Sequence, residues 1–167
     1  MVADRKAALS RPVPGRQSTR GEQPSSAAST DSLTASEILL IRESYDRVSV
    51  GLRFSRNFYE RLFAIAPDLR KLFPDDLSAQ LRKLMDMLAA LVNQLDQPRE
   101  LALTLEALGV RHHAYGVSGA HFAPVGRALL ETLESELGPG FDEATRRAWI
   151  ALYGLASSWM QHAWPGA

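Results

Sequence analysis

Three observations make this sequence an all-α fold of six or more helices. From Leu33 onward, apolar residues recur three and four positions apart in one segment after another. No segment alternates with period two for long enough to form a strand. A capping box, glycines and prolines then cut the pattern into separate helices.

Residues 1–31 stand apart. They hold Pro12, Pro14, Gly15, Gly21 and Pro24, seven Ser/Thr, and five basic against three acidic residues. Without apolar periodicity no packed face repays ordering, and a disordered N-terminal extension is expected there. The arginine- and serine-rich composition has the flavour of a transit peptide, but the prolines and glycines spoil an amphipathic helix, and a secretory h-region is missing. One domain is expected over residues 32–167.

Within it, Thr34-Ala-Ser-Glu37 is a capping box, and Ile38, Ile41, Tyr45 and Val48 follow at helical spacing up to a break at Gly51. The second helix carries Phe54, Phe58 and Leu62 and stops before Ala66-Pro67. Pro67 to Phe73 reads as a short helical turn and Pro74-Asp75-Asp76 as a loop. Leu81, Leu84, Met85, Leu88, Leu91, Val92 and Leu95 form the cleanest amphipathic stripe. Pro98 opens a helix on which Leu101, Leu105, Leu108, His112 and Tyr115 share one face. Gly116 stops it, and Ser118 is placed to cap a new helix. Phe122, Val125, Leu129, Leu130, Leu133 and Leu137 make the next helix, closed by Gly138-Pro139-Gly140. Trp149, Leu152, Tyr153, Ala156, Met160 and Ala163 make the last.

Composition narrows the chemistry. Nineteen basic and nineteen acidic side chains cancel, so charge argues for neither nucleic acid nor a membrane surface as partner. The longest apolar runs are about six residues, far short of a membrane span. The absence of cysteine excludes thiolate zinc, iron–sulfur clusters, covalently attached haem and a cysteine nucleophile. No H-x-x-x-H, E-x-x-H, G-x-S-x-G or glycine-rich phosphate loop occurs. Glu131, Glu134 and Glu136 read as a solvated helix surface, and Arg82-Lys83 and Arg146-Arg147 as surface pairs.

His112 is the residue that calls for an explanation, because its imidazole shares a face with leucines. Periodicity alone favours a core histidine bonded to a backbone carbonyl. The alternative is a ligand to a metal or to haem iron, which neutral imidazole also suits. His113 lies about 100° around the same helix, so the two rings do not chelate one ion.

Six segments, in this order, decide the family that the chain resembles. They are Asn57-Phe-Tyr-Glu-Arg-Leu-Phe63, Pro67-Asp-Leu-Arg-Lys-Leu-Phe73, Gln80-Leu-Arg-Lys-Leu-Met85, Arg111-His112 with Tyr115-Gly-Val117, His121-Phe-Ala-Pro-Val-Gly126, and Ala148-Trp149 with Tyr153-Gly154. Residues 33 to about 164 are similar to globins, in particular bacterial single-domain globins and the haem domains of flavohaemoglobins. The resemblance implies a globin fold of six to eight helices around a pocket for haem b (iron protoporphyrin IX). It implies that His112 is the proximal iron ligand, Phe73 a wedge against the haem face, Tyr59 and Gln80 distal hydrogen-bond donors, and Leu84 the apolar residue above the iron. Tyr115 is counted with the haem-contacting residues, and Lys83, with Arg82 or Arg111, is placed near the haem propionates.

Two positions depart from the flavohaemoglobin pattern. Phe122 stands where that family has a tyrosine, and Trp164 falls, without gaps, where it has a glutamate. Those family residues form a hydrogen-bonded network that strengthens the proximal ligand. Phe122 cannot take part, so peroxidase-like chemistry is not expected. The expected function is reversible binding of dioxygen and other diatomic gases such as nitric oxide, in storage, transport or sensing, by a cytoplasmic monomer or homodimer. One alternative is nitric oxide dioxygenation; as the chain ends at Ala167, its electrons would come from a separate reductase. A haem-free sensor or interaction module of globin fold is the other.

Overall fold

The computed structural model describes residues 32–164, and the expectation for residues 1–31 lies outside them. Six α-helices follow one another: α1 (Ala35–Val48), α2 (Arg53–Ile65), α3 (Ser78–Asn93), α4 (Pro98–Ala114), α5 (Phe122–Leu137) and α6 (Glu143–His162). Short 3₁₀ helices at Pro67–Leu72, Gly119–His121 and Gly138–Gly140 link them, and no strand occurs among the described residues.

Local chemistry sets most boundaries. Thr34 and Glu37 form the capping box reciprocally: the Thr34 hydroxyl accepts from Glu37 N–H, and the Glu37 carboxylate accepts from Thr34 N–H. Asp142 caps α6 by accepting the Thr145 N–H at 2.8 Å. Pro67 and Pro98 sit in the first turns of their helices, where a missing N–H costs nothing. Gly51 (φ 72°) and Gly116 (φ 85°) turn the chain through a region that disfavours a side chain.

The helices pack on one apolar core. Ile41, Phe54, Leu62, Leu105, Leu133 and Trp149 are almost wholly buried in it. Trp149 crosses from α6 to α1, donating its indole N–H to Ser44 Oγ at 2.8 Å, and the Ser44 hydroxyl donates to the Leu40 carbonyl. That buried polar chain is fully satisfied. Helix α2 packs on α5, α1 on α6, and α4 on α6. Helix α3 leans on α1 and α2 instead, so the consecutive helices α3 and α4 make no substantial contact with each other.

The acidic residues of α5 are not simply a solvated face. Glu131 is shared by Arg61 and Arg127, Glu134 pairs with Arg146, and Glu136 takes Arg53 and Asn57. These pairs stitch the surfaces of α2, α5 and α6.

Candidate functional site

The leucine face of α4 ends on an imidazole. Leu101 and Leu105 are buried, and Leu108 and His112 are half-buried. His112 Nδ1 lies 2.9 Å from the Leu108 carbonyl, one turn back. A carbonyl only accepts, so Nδ1 carries the hydrogen and Nε2 keeps its lone pair. The backbone-bonded histidine and the ligand histidine are therefore compatible: the bond fixes the ring and leaves the other nitrogen basic. Burial lowers the His112 pKa, the bond to Leu108 opposes that, and the Arg111 charge adds to it. The ring is thus held in the neutral form that a metal requires.

Tyr115 does not extend this face. Helix α4 stops at Ala114, Tyr115 is its C-cap, and Gly116 turns the chain away, leaving the Tyr115 side chain 69% exposed. Its N–H still bonds the Arg111 carbonyl in helical register, but the side chain lies beyond the buried part of the face.

A second cluster gathers on α2, the Pro67–Leu72 turn and the start of α3. Tyr59 is 5% exposed and packs edge-on against Phe58 and Phe73, with ring centroids 5.1 and 5.4 Å away. Phe63, one turn along from Tyr59, stacks on it at 5.8 Å and meets Phe73 at 5.4 Å. Burial raises the Tyr59 pKa, and the Gln80 side chain beside the hydroxyl partly offsets this. The phenol accordingly keeps its proton and acts as a donor. Gln80 and Leu84 are half-buried one turn apart on α3, while Arg82, Lys83 and Arg111 are exposed.

Several contributors were not evident from spacing. Arg70 gathers the loop behind Phe73: its guanidinium donates to the carbonyls of Phe73, Pro74 and Asp75 and lies over the Phe63 ring. Phe63 is four residues from Tyr59, a signal that was available; the reach of Arg70 was not. On the other side, Phe122 and Trp164 do meet, with ring centroids 5.9 Å apart.

The donor set suits haem. Among the described residues no three His, Asp or Glu side chains gather as a metal-ion site. A lone imidazole with a fixed Nδ1–H and a lone pair on Nε2 is what iron in a macrocycle takes. Helices α3 and α4 are not packed together, and Phe73, Leu84 and Leu108 are apolar side chains left half-buried. These features leave apolar surface for a flat group to cover.

Comparison with known proteins bears on the same residues. Residues 56–160 match the Globin family model. Neuroglobin of Danio rerio is 33% identical over 140 residues, covering 75% of this chain and 88% of that protein. Neuroglobin-1 of Oncorhynchus mykiss is 33% identical over 153 residues, covering 80% and 94%. A hexacoordinated haem protein from an anhydrobiotic tardigrade, its crystal structure determined at pH 4, superposes with a TM-score of 0.69 at 18% identity, covering 78% of this chain and 94% of that one. With six helices in this order, a family match over most of the described chain and relatives of this identity, the chain belongs to the globin family.

Proposed function

We propose that this globin binds haem b with His112 as the proximal ligand and takes up dioxygen and other diatomic gases reversibly. The observation that carries the assignment is the Nδ1–H bond from His112 to the Leu108 carbonyl at 2.9 Å, which leaves Nε2 as the free donor. The haem neighbour and the neuroglobin relatives support it.

When bound, haem iron supplies the coordination position for a diatomic gas and lends that gas partial negative charge. The chain's own groups then do three things. His112 would hold the iron from α4. Phe73 and Leu84 exclude water, and Phe63 backs them through its contact with Phe73. Tyr59 O–H and Gln80 N–H would donate to the partial charge on the gas. None of the chain's four histidines lies before position 112, so α2 and α3 offer Tyr59 and Gln80 in place of a second imidazole.

Gas binding is favoured over peroxide chemistry by the Phe122–Trp164 pair. The ring of Phe122 offers the proximal histidine no acceptor, so nothing there strengthens the electron donation of His112. The direct test is addition of haemin to the purified protein. A stoichiometric Soret band is expected; a protein that stays colourless with excess haemin is not a haem globin.

A further inference from the structure

Helix α4 is held from behind by Trp164, which follows α6. The Trp164 indole N–H donates to the Gly109 carbonyl at 3.1 Å, three residues before His112. The Trp164 ring also sits 5.2 Å from His113 and 5.9 Å from Phe122. Phe122 is pinned in turn, because its carbonyl accepts the half-buried Tyr153 hydroxyl at 2.7 Å. Gly109 is buried where α4 crosses α6, and a Cβ there would lie 2.7 Å from Met160 Cα. The backbones of α4 and α6 therefore touch one turn before His112, and Trp164 bridges the same two helices just beyond that contact.

Chain connectivity couples two of these bonds. The Leu108 carbonyl that orients His112 and the Gly109 carbonyl that accepts Trp164 are consecutive groups on α4. Rotation or fraying of this turn moves both. A C-terminal helix end is ordinarily the first part to fray, and Trp164 supplies, one turn before that end, a tertiary bond whose donor lies outside α4. We propose that Trp164 is a positioning residue, latching the turn of α4 just before His112 to the segment that follows α6, so that the His112 ring is held at a fixed angle. The role at the iron rests on the haem assignment above; the latch itself does not.

Two measurements on the full chain separate these. In haem-free protein, Trp164→Phe keeps an aromatic ring beside Phe122 and His113 but removes the donor. Amide exchange over residues 110–116 is expected to accelerate roughly three- to tenfold, the effect of losing about one net hydrogen bond, while α1 and α2 exchange as before. In ferrous protein reconstituted with haem, the iron–histidine stretching band is expected to broaden or shift in Trp164→Phe, and more so in Trp164→Ala, at unchanged helix content. Unaltered exchange with an unmoved band overturns the latch and leaves haem binding standing. A wild-type chain that takes up no haem overturns the functional assignment, and the exchange measurement still decides the latch.

Discussion

Tyr59 shows how much of the expected function rests on single side chains. It is buried among Phe58, Phe63 and Phe73, its proton is retained, and Gln80 lies beside the hydroxyl. A donor in such dry surroundings contributes about 1–3 kcal/mol to holding a polarised ligand. Tyr59→Phe is therefore expected to speed oxygen dissociation by roughly five- to 150-fold while leaving haem uptake intact. Stopped-flow displacement of oxygen measures this, and an unchanged rate would remove Tyr59 from the ligand site. Spacing singles out His112, which shares the leucine face of α4, whereas Tyr59, Phe73 and Gln80 are pointed to only by the resemblance to globins. Tyr115 is exposed although spacing puts it on the leucine face, because periodicity says nothing of how far the core reaches. Arg70 and Trp164 are invisible to it because their partners are backbone carbonyls, which carry no sequence signal.

At the scale of elements, helix ends and crossings decide the geometry. The capping box at Thr34, the breaks at Gly51 and Gly116 and the stripe of α3 are legible because each is a local rule. The crossing of α4 over α6 is not, since the need for Gly109 arises from Met160, 51 positions away in the chain. Gly109→Ala sets a methyl against the Met160 backbone, which cannot give way as a side-chain tip would. A loss of about 1–3 kcal/mol is expected, with weaker haem retention, read by thermal unfolding and haem transfer. The Asp142 cap gives a pH-dependent counterpart. Its carboxyl is held below the ordinary value of 3.8, chiefly by the Thr145 N–H. The folded state therefore binds fewer protons than the unfolded one in that range. Its contribution is present above the ordinary value and is lost as pH falls through it to the folded value. Asp142→Ala is expected to melt a few degrees lower than wild type at neutral pH, with the gap closing in acid below the carboxylate range. A gap that persists unchanged in acid would contradict the cap.

For the whole molecule, α1, α5 and α6 pack on one another, α4 packs on α6 and α3 on α1 and α2, while α3 and α4 make no substantial contact with each other. No single element contains the candidate site: α2 and α3 bring Tyr59, Gln80 and Leu84, the turn after α2 brings Phe73, and α4 brings His112. Apolar patterning sets the order and faces of these helices; their three-dimensional spacing comes only with the fold. A ligand that binds only the folded chain stabilises it by mass action, so haem is expected to raise the melting temperature of the entire domain. The most direct test of the account is haemin titration of wild type against His112→Ala, with imidazole added back. Wild type is expected to take one equivalent with a sharp Soret band, the variant to bind weakly with an altered band, and imidazole to restore the wild-type spectrum. A His112→Ala protein with wild-type affinity and spectrum would contradict the assignment of His112 as the iron ligand.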